Sequence, residues 1–250
     1  MSVRYEVTRG VAVVTLAEVD NRNALNARLI NGIGDGLTAA LADDAVRVVL
    51  LTHDGPVFCA GADLKGGGQE EARFGFPEVL SLMQDSPKPV LAVLRGPAMG
   101  GGVGLAAAAD LSLASTDVTF GFTEVRIGLA PAMISVVCLP KLSKADAAEL
   151  FLTGRKIPAA RAAEVGLINR AVPPADLDEA VTELLHELVA GSPGGLATSK
   201  ELLRDVPTMS RAEAFEHTQA LSARLFQSSE AAEGIAAFRE KRPASWVPRD

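Results

Sequence analysis

The chain has 250 residues, of which 48 % are hydrophobic and 22 % are charged, and its formal net charge is −7. This composition is typical of a globular protein with a sizeable core and argues against a disordered chain. The acidic balance excludes a broad nucleic-acid-binding surface. No apolar run is long enough to cross a bilayer, and the first residues lack the apolar centre of a signal peptide. We therefore expect a cytoplasmic protein with no membrane partner.

The beginning of the chain alternates predicted strands and helices. Val3 to Thr8 and Val11 to Leu16 predict a β-hairpin with Arg9-Gly10 at the turn. Asn26 is a predicted N-cap, because apolar residues recur at helical spacing from there to about Leu41. Continuous apolar runs further along are typical of strands buried on both faces. These later segments are the strand Val46–Thr52, a glycine-rich loop Asp54–Gly68, a helix to about Gln84, the strand Pro89–Leu94, an alanine-rich helix opening in Gly100–Gly104, and the strand Leu111–Ala114.

The pattern changes after about Leu139, where helical periods dominate to the end of the chain. The predicted helices lie at roughly 143–153, 158–164, 174–190, 195–204, 210–227 and 229–240. Strand–helix alternation followed by a run of helices predicts an α/β fold with a helical C-terminal region.

Two glycine-rich turns, Phe58–Lys65 and Gly96–Leu105, each follow a predicted buried strand. Glycine allows a ligand to approach the main chain, and a helix that begins inside the second turn leaves its first N–H groups unpaired. Two such N–H groups that converge on one point would form an oxyanion hole. The alternative is that the glycines only permit close packing between strand and helix.

Other familiar sites are not indicated by the residue spacing. The second turn lacks the G-x-G-x-x-G spacing of a dinucleotide site, and no P-loop lysine follows it. Cys59, Cys138 and the three histidines have no metal-ligand spacing. We therefore expect no metal site and interpret the cysteines as buried or half-buried thiols.

The two turns and several later segments resemble the signatures of the crotonase (enoyl-CoA hydratase/isomerase) superfamily. Phe58–Lys65 resembles the first signature, Lys88–Gly102 the second, and Phe120–Pro131 the segment that carries a catalytic glutamate. Later landmarks of the family are matched by Leu152–Arg155, Ala162–Leu167 and Gly234–Lys241. The resemblance implies a crotonase-type ββα spiral core over residues 1–190 and a helical region over residues 191–250 that serves trimerisation or as a lid.

Catalytic roles follow from this resemblance position by position. It implies that the backbone N–H groups of Ala62 and Gly101 are the oxyanion-hole donors and that Glu124 is the catalytic carboxylate. Family hydratases use two glutamates, and the position of the first one holds Gly104 here, twenty residues before Glu124. The alternatives for Glu124 are a solvated side chain or a pair with Arg126. Its aromatic and apolar neighbours favour partial burial, which would raise its pKa towards that of a useful base.

The resemblance also implies how an acyl-coenzyme A thioester is bound. Ala60, Ala62 and Leu64 are expected to line the coenzyme A, and Arg22 is expected to approach its phosphates. Lys241 is expected to reach the coenzyme A of a neighbouring subunit, in a homotrimer or a dimer of trimers. For Arg22 and Lys241 the alternative is a solvated surface charge. Coenzyme A would enter as part of the substrate, with no separate cofactor.

These features favour an enoyl-CoA hydratase that adds water to a 2-enoyl-CoA, branched acyl groups included. Gly100–Leu105 followed by Thr123–Ser135 is similar to bacterial methylglutaconyl-CoA-type hydratases, whose substrate carries its own carboxylate. Two alternatives remain open. The chain could be an isomerase that uses Glu124 alone as its proton carrier, or a non-catalytic homologue that binds acyl-CoA.

Overall fold

The computed structural model describes residues 1–65 and 70–248 of the chain. Residues 66–69, which include the end of the predicted loop Asp54–Gly68, lie outside the described part, as do residues 249 and 250. The strands are β1 (Val3–Thr8), β2 (Val11–Leu16), β3 (Val48–His53), β4 (Val90–Leu94), β5 (Ala98–Met99), β6 (Leu111–Ser115), β7 (Thr119–Gly121), β8 (Lys156–Pro158) and β9 (Arg170–Val172).

Helices surround these strands and fill the last quarter of the chain. The α-helices are α1 (Ala27–Ala42), α2 (Phe76–Asp85), α3 (Gly101–Ala108), α4 (Ala132–Cys138), α5 (Lys144–Thr153), α6 (Ala159–Glu164), α7 (Leu177–Ala190), α8 (Pro193–Asp205), α9 (Arg211–Phe226) and α10 (Ser229–Glu240). Shorter 3₁₀-helices cover Val19–Asn21, Thr123–Ile127, Leu139–Lys141 and Val206–Thr208. No helix in the described residues has the length and apolar character needed to cross a membrane.

The main sheet of the described chain has six strands in the order β1-β2-β3-β4-β6-β9. The β1–β2 pair is antiparallel, with Val3 opposite Leu16, and the pairs further along the sheet are parallel. The hairpin turn confirms the prediction, because Arg9 and Gly10 both have positive φ, at 48° and 80°. Two successive positive φ values are typical of a type I′ turn, whose twist matches that of the strands.

A second, smaller layer of strands positions the loops that leave the main sheet. Single parallel bridges join Leu25 to Ala62 and Cys59 to Ala98. In the same layer β5 pairs with β7 in parallel, and β7 pairs with β8 in an antiparallel manner. The chain therefore passes repeatedly from a main-sheet strand to a short strand or bridge in this layer. The pass that follows β2 leads into α1, and the pass that follows β4 leads into α3. The loops after β2, β3 and β4 therefore lie side by side.

The core lies on both faces of the main sheet. The larger cluster fills the space between the sheet, α1, α2, α3 and the second layer, and includes Phe58, Phe120 and Leu105. The smaller cluster lies on the opposite face, where Leu91 and Val93 of β4 meet α7. All of β4 is buried because both faces of this strand are covered, as its continuous apolar sequence predicts.

The structure corrects the sequence prediction in the second half of the chain. Strands β7, β8 and β9 and helix α4 were not predicted, and the region after Leu139 is not purely helical, since β8 and β9 lie within it. Strand β9 extends the main sheet by pairing with β6. These strands have only three residues each. Such short segments show no periodicity, so the neighbouring strands determine their structure.

The last helices are attached to the core by a few polar contacts. The Lys200 ammonium of α8 donates to Asp110 at 2.7 Å, and the Arg47 guanidinium donates to the carbonyls of Gly191 and Trp246 at 2.6 and 2.8 Å. Helix α8 has no buried residue, and α9 and α10 bury only Leu221 and Ala237. These helices therefore leave most of their apolar side chains on the surface of the protomer.

Candidate active site

The loop after β3 is held by backbone hydrogen bonds that leave the N–H of Ala62 unpaired. The N–H of Leu25 donates to the Gly61 carbonyl at 2.8 Å, and the N–H of Asp63 donates to the Leu25 carbonyl at 3.1 Å. Ala62 lies between Gly61 and Asp63, the two residues that are hydrogen-bonded to Leu25, and in a parallel bridge the N–H of such a residue points away from the partner strand. Within the described residues the Ala62 N–H has no protein acceptor, and Ala62 is exposed.

The start of α3 provides a second unpaired N–H group. The Gly100 N–H donates to the Gly121 carbonyl at 2.9 Å, and the N–H groups of Val103 and Gly104 donate back to the Gly100 carbonyl. Gly101 is the first helical residue, and its N–H has no acceptor in the part of the chain that the structure describes. The first N–H groups of a helix carry a partial positive charge, which suits a developing negative charge on a ligand.

Both N–H groups belong to residues that line one pocket of about 270 Å³, and Glu124 lines the same pocket. Glu124 is the one charged side chain in its described lining, and Thr123 adds a hydroxyl. The rest of the wall is apolar or glycine. The described lining is Leu25, Ile30, Ala60, Gly61, Ala62, Leu64, Phe76, Gly100, Gly101, Thr123, Glu124, Ile127, Leu129, Ala130, Pro131, Ala132, Met133 and Ile134.

The Glu124 carboxylate is held in an environment that disfavours its charge. Its backbone carbonyl accepts from the N–H groups of Gly128 and Leu129, which closes the 3₁₀-helix that carries it. Its Oε2 atom is buried without a hydrogen-bond partner in the described protein. Burial raises the pKa of this carboxyl, because desolvation penalises the ionised form. A half-buried carboxylate with a raised pKa on the wall of an apolar pocket has the properties of a general base.

Arg126 contacts the main chain of α5 instead of pairing with Glu124. Its Nε atom donates to the Gly154 carbonyl at 3.0 Å, and the described residues show no ion pair between it and Glu124. Gly154 is the left-handed cap of α5. The alternative of a Glu124–Arg126 pair is therefore wrong, and Arg126 instead fixes the 3₁₀-helix against α5.

Three of the five residues expected to contact coenzyme A lie in the wall of this pocket, and the other two do not. Ala60, Ala62 and Leu64 lie on the pocket wall, and Leu64 is 70 % exposed at its rim. Arg22 is exposed, and its carbonyl accepts from the Ala60 N–H at 3.1 Å, so it lies next to this wall. Lys241 caps the end of α10, is exposed, and does not line the pocket of its own protomer.

Sequence reasoning missed the residues that form the apolar wall. Leu25 and Phe76 flank Gly101, and Met133 and Ile134 of α4 close the pocket from another side. The family resemblance includes the segment that contains α4 but implies no role for its side chains. Gly104, the position of the missing first glutamate, is buried in α3 directly against Ile134 and does not line the pocket.

Neither thiol is available for nucleophilic chemistry at this site. Burial raises the pKa of Cys59 and that of Cys138 to about 12, and both cysteines are free and buried. A thiol with so high a pKa carries almost no thiolate at neutral pH. Among the described residues, no three His, Cys, Asp or Glu side chains are arranged to hold a metal ion.

Comparison with known proteins agrees with this geometry. Residues 6–249 match the family model for enoyl-CoA hydratase/isomerase. A Thermus thermophilus protein provisionally named an enoyl-CoA hydratase is 36 % identical over 95 % of this chain and 98 % of its own length. The carnitinyl-CoA dehydratase of Proteus mirabilis is 32 % identical over 97 % of both chains.

Solved structures extend the comparison to the fold. The enoyl-CoA hydratase of Bacillus anthracis superposes with a TM-score of 0.90 at 28 % identity over 100 % of both chains. That of Mycobacterium smegmatis gives a TM-score of 0.90 at 29 % identity, over 98 % of this chain and 99 % of its own. The expected crotonase-type fold is therefore confirmed. The chain belongs to the enoyl-CoA hydratase/isomerase family and is an enzyme of that family.

Proposed function

We propose that the protein is an enoyl-CoA hydratase that adds water to a 2-enoyl-CoA through an enolate held in an oxyanion hole. The observation that carries the proposal is the shared pocket. Within the described residues the backbone N–H groups of Ala62 and Gly101 have no acceptor, and both residues line the pocket that Glu124, with its buried and unpaired Oε2, also lines. A thioester carbonyl could accept from both N–H groups, which would stabilise the negative charge of an enolate.

The proposed reaction needs only one carboxylate. Ionised Glu124 takes a proton from water while the water oxygen bonds to C3 of the enoyl thioester, and the displaced electron pair moves to the carbonyl oxygen. The Glu124 carboxyl then returns the proton to C2, which re-forms the thioester carbonyl. The product gains one molecule of water and Glu124 is ionised again. The raised pKa of Glu124 favours both proton transfers, because a carboxyl group whose pKa is closer to neutral pH can both accept and return a proton.

An isomerase is the second candidate, and Gly104 favours it. With glycine at this position, the pocket presents one carboxylate among its described residues. One carboxylate suits the removal of a proton from C2 of a 3-enoyl-CoA and its return to C4. Hydration remains the first choice because curated relatives carry hydratase and dehydratase names, and a dehydratase runs the same chemistry in reverse.

Coenzyme A is proposed to enter as part of the substrate, with no separate cofactor, in a cytoplasmic enzyme. Ala60, Ala62 and Leu64 would contact it along the rim, because they extend the pocket wall towards solvent. Arg22 is the basic candidate for a phosphate, because its main chain is hydrogen-bonded to Ala60 on this wall and its side chain is exposed. An exposed cation of this kind adds a modest, salt-dependent gain in affinity.

The proposed assembly is a homotrimer or a dimer of trimers that uses residues 191–250. This region leaves large apolar side chains uncovered, among them Phe215, Phe226 and Phe238, which are 64 %, 74 % and 86 % exposed. Exposed apolar surface of this extent is typical of an interface between copies of a chain. Lys241 would then face the coenzyme A of a neighbouring subunit. Multi-angle light scattering that gave a monomer at micromolar concentration would contradict this assembly.

The function is tested with a panel of straight and branched 2-enoyl- and 3-enoyl-CoAs. Hydration removes the absorbance of the conjugated thioester, and in water labelled with heavy oxygen the 3-hydroxyacyl product gains the label. An isomerase instead creates that absorbance from a 3-enoyl-CoA and incorporates no label. If no member of the panel is converted by a folded protein, hydratase and isomerase are both wrong.

A further inference from the structure

Ile134 occupies the space that a side chain at position 104 would need. An ideal Cβ atom built on Gly104 would lie 2.4 Å from Cγ2 of Ile134 and 3.0 Å from its Cβ. Neither atom can move far, because Cβ is fixed by the backbone and a β-branched side chain has one strongly preferred χ1 in a helix. Ile134 is 3 % exposed and belongs to α4, which packs against α3. Glycine at position 104 therefore leaves the space that Ile134 fills in the packing of α4 against α3.

Ile134 also lines the pocket, so it has contacts on two sides. On one side it covers Gly104, and on the other it borders the cavity that contains Glu124. Its neighbours on this wall are Pro131, Ala132 and Met133, which are also apolar. The described lining has no lysine, arginine or histidine.

We infer that Ile134 is a specificity-determining residue that selects apolar acyl groups and rejects acyl groups that carry a carboxylate. This inference rests on the proposed function, because it assumes that the acyl part of a CoA thioester enters this pocket. An aliphatic acyl group against Ile134 would displace water from apolar surface, which favours binding. A carboxylate in the same place would lose its hydration without gaining a cation, and the Thr123 hydroxyl is the one side-chain donor in the described lining.

A second argument comes from the charge that the wall already contains. Glu124 lines this pocket, its Oε2 atom has no partner among the described residues, and in its proposed role as base it is ionised. A second carboxylate nearby would be repelled by it, and each would raise the pKa of the other. Methylglutaconyl-CoA-type hydratases, which part of the sequence resembles, act on an acyl group with its own carboxylate. The pocket favours instead a straight or branched hydrocarbon chain.

The inference is tested by binding, so that it does not depend on turnover. Isovaleryl-CoA and glutaryl-CoA are both saturated and have five acyl carbons, but only the second has a terminal carboxylate. Calorimetry on the parent protein should give at least about 10-fold tighter binding of isovaleryl-CoA, a typical discrimination for one group in an apolar pocket. Ile134→Ala should reduce this ratio several-fold, while Ile134→Val, which keeps the Cβ and Cγ2 atoms over Gly104, should preserve most of it.

A control separates the loss of the wall from a general loss of packing. Leu177→Ala removes a buried side chain from the smaller core cluster, on α7, away from the pocket. It should lower stability without changing the binding ratio. Equal affinity of the parent for both thioesters, or an unchanged ratio in folded Ile134→Ala, would overturn the inference. If isovaleryl-CoA binds selectively but no enoyl-CoA is converted, the proposed reaction fails while the role of Ile134 stands.

Discussion

The Oε1 atom of Glu124 lies 3.1 Å from the point that a Cβ atom on Gly100 would occupy. Gly100 also has a φ of 50° and a ψ of −117°, a conformation that residues with a side chain rarely adopt. The glycine therefore serves two purposes: it allows the turn into α3, and it leaves room for the carboxylate next to that turn. The Glu124 carboxylate therefore lies beside the start of the helix that carries the Gly101 N–H.

Gly100→Ala should impair catalysis more than it impairs folding. The added methyl group displaces the Glu124 carboxylate and strains the turn, and strain of this kind costs about 1–3 kcal/mol. A misplaced catalytic group can cost about 10²-fold in rate, so kcat should fall by roughly that factor. The measurement is steady-state kinetics combined with urea unfolding.

Gly166→Ala provides the matched control for this prediction. Gly166 has a φ of 81°, and its ideal Cβ would lie 3.0 Å from the Lys141 carbonyl oxygen, yet it does not line the pocket. Both variants should lose similar stability, but only Gly100→Ala should lose kcat. Equal kcat values in the two variants would show that Gly100 does not position Glu124.

The role of the Gly101 N–H is best tested in a Leu25→Ala background. A Cβ on Gly101 would lie 2.3 Å from Cδ1 of Leu25, so any substitution in the parent would also cause a clash. With Leu25 shortened, Gly101→Ala keeps the N–H and Gly101→Pro removes it, while proline is tolerated at the first position of a helix. Loss of one oxyanion donor should lower kcat of the proline variant by about 10²–10³ relative to the alanine variant. Similar turnover in the two proteins would refute this assignment.

The sequence predicts local features well because neighbouring residues determine them. The Asn26 side chain accepts from the Leu29 N–H at 2.8 Å, as its predicted N-cap role requires. The contact between Ile134 and Gly104 was not predictable, because it depends on the packing of α4 against α3 and has no local pattern. The unpaired Oε2 of Glu124 likewise depends on Phe122, Gly128 and α5, which bring the 3₁₀-helix to the pocket wall. The family resemblance predicts Glu124 as the catalytic carboxylate, whereas its desolvation becomes visible only in three dimensions.

A largely buried pair of charged side chains, those of Lys200 and Asp110, should anchor the C-terminal helices. The Lys200 ammonium lies 2.7 Å from Asp110, and the Val90 N–H and the nearby Lys141 also face this carboxylate. Burial raises the pKa of Asp110 and lowers the pKa of Lys200, so each charge depends on the other. Lys200→Met leaves Asp110 buried without its closest partner, and breaking such a pair costs about 3–5 kcal/mol. Urea unfolding should show this loss.

The pH dependence of that loss checks its cause. Without Lys200 the pKa of Asp110 rises further in the folded state, so folding of the variant is penalised increasingly as the pH rises above the pKa of the unfolded carboxyl. The stability deficit of Lys200→Met should therefore be larger at neutral than at acidic pH. Arg73→Met, which breaks an exposed pair with Asp35, should show little change at either pH. A deficit that is independent of pH would mean that Lys200 acts only through packing.

Glu124→Gln should lower activity and raise stability at the same time. The amide keeps the size of the side chain but cannot take a proton, so kcat should fall by about 10²–10⁴. Burial raises the pKa of Glu124 in the folded state, which means that the ionised form is penalised by folding. Glutamine does not incur that penalty. The variant should therefore be more stable than the parent at neutral pH, as measured by urea unfolding.

The sign of the pH dependence follows from the same shift. As the pH falls through the folded-state pKa, Glu124 becomes protonated and neutral, so the stability advantage of Glu124→Gln should shrink towards zero in acid. In the parent, kcat/KM should fall over the same pH interval, because the base is lost, and this limb should lie above the usual glutamate pKa of about 4.3. Glu124→Asp keeps the charge but shortens the side chain, so it should retain an acidic limb at reduced kcat. If Glu124→Gln were fully active towards every substrate of the parent, the base would have to be another group.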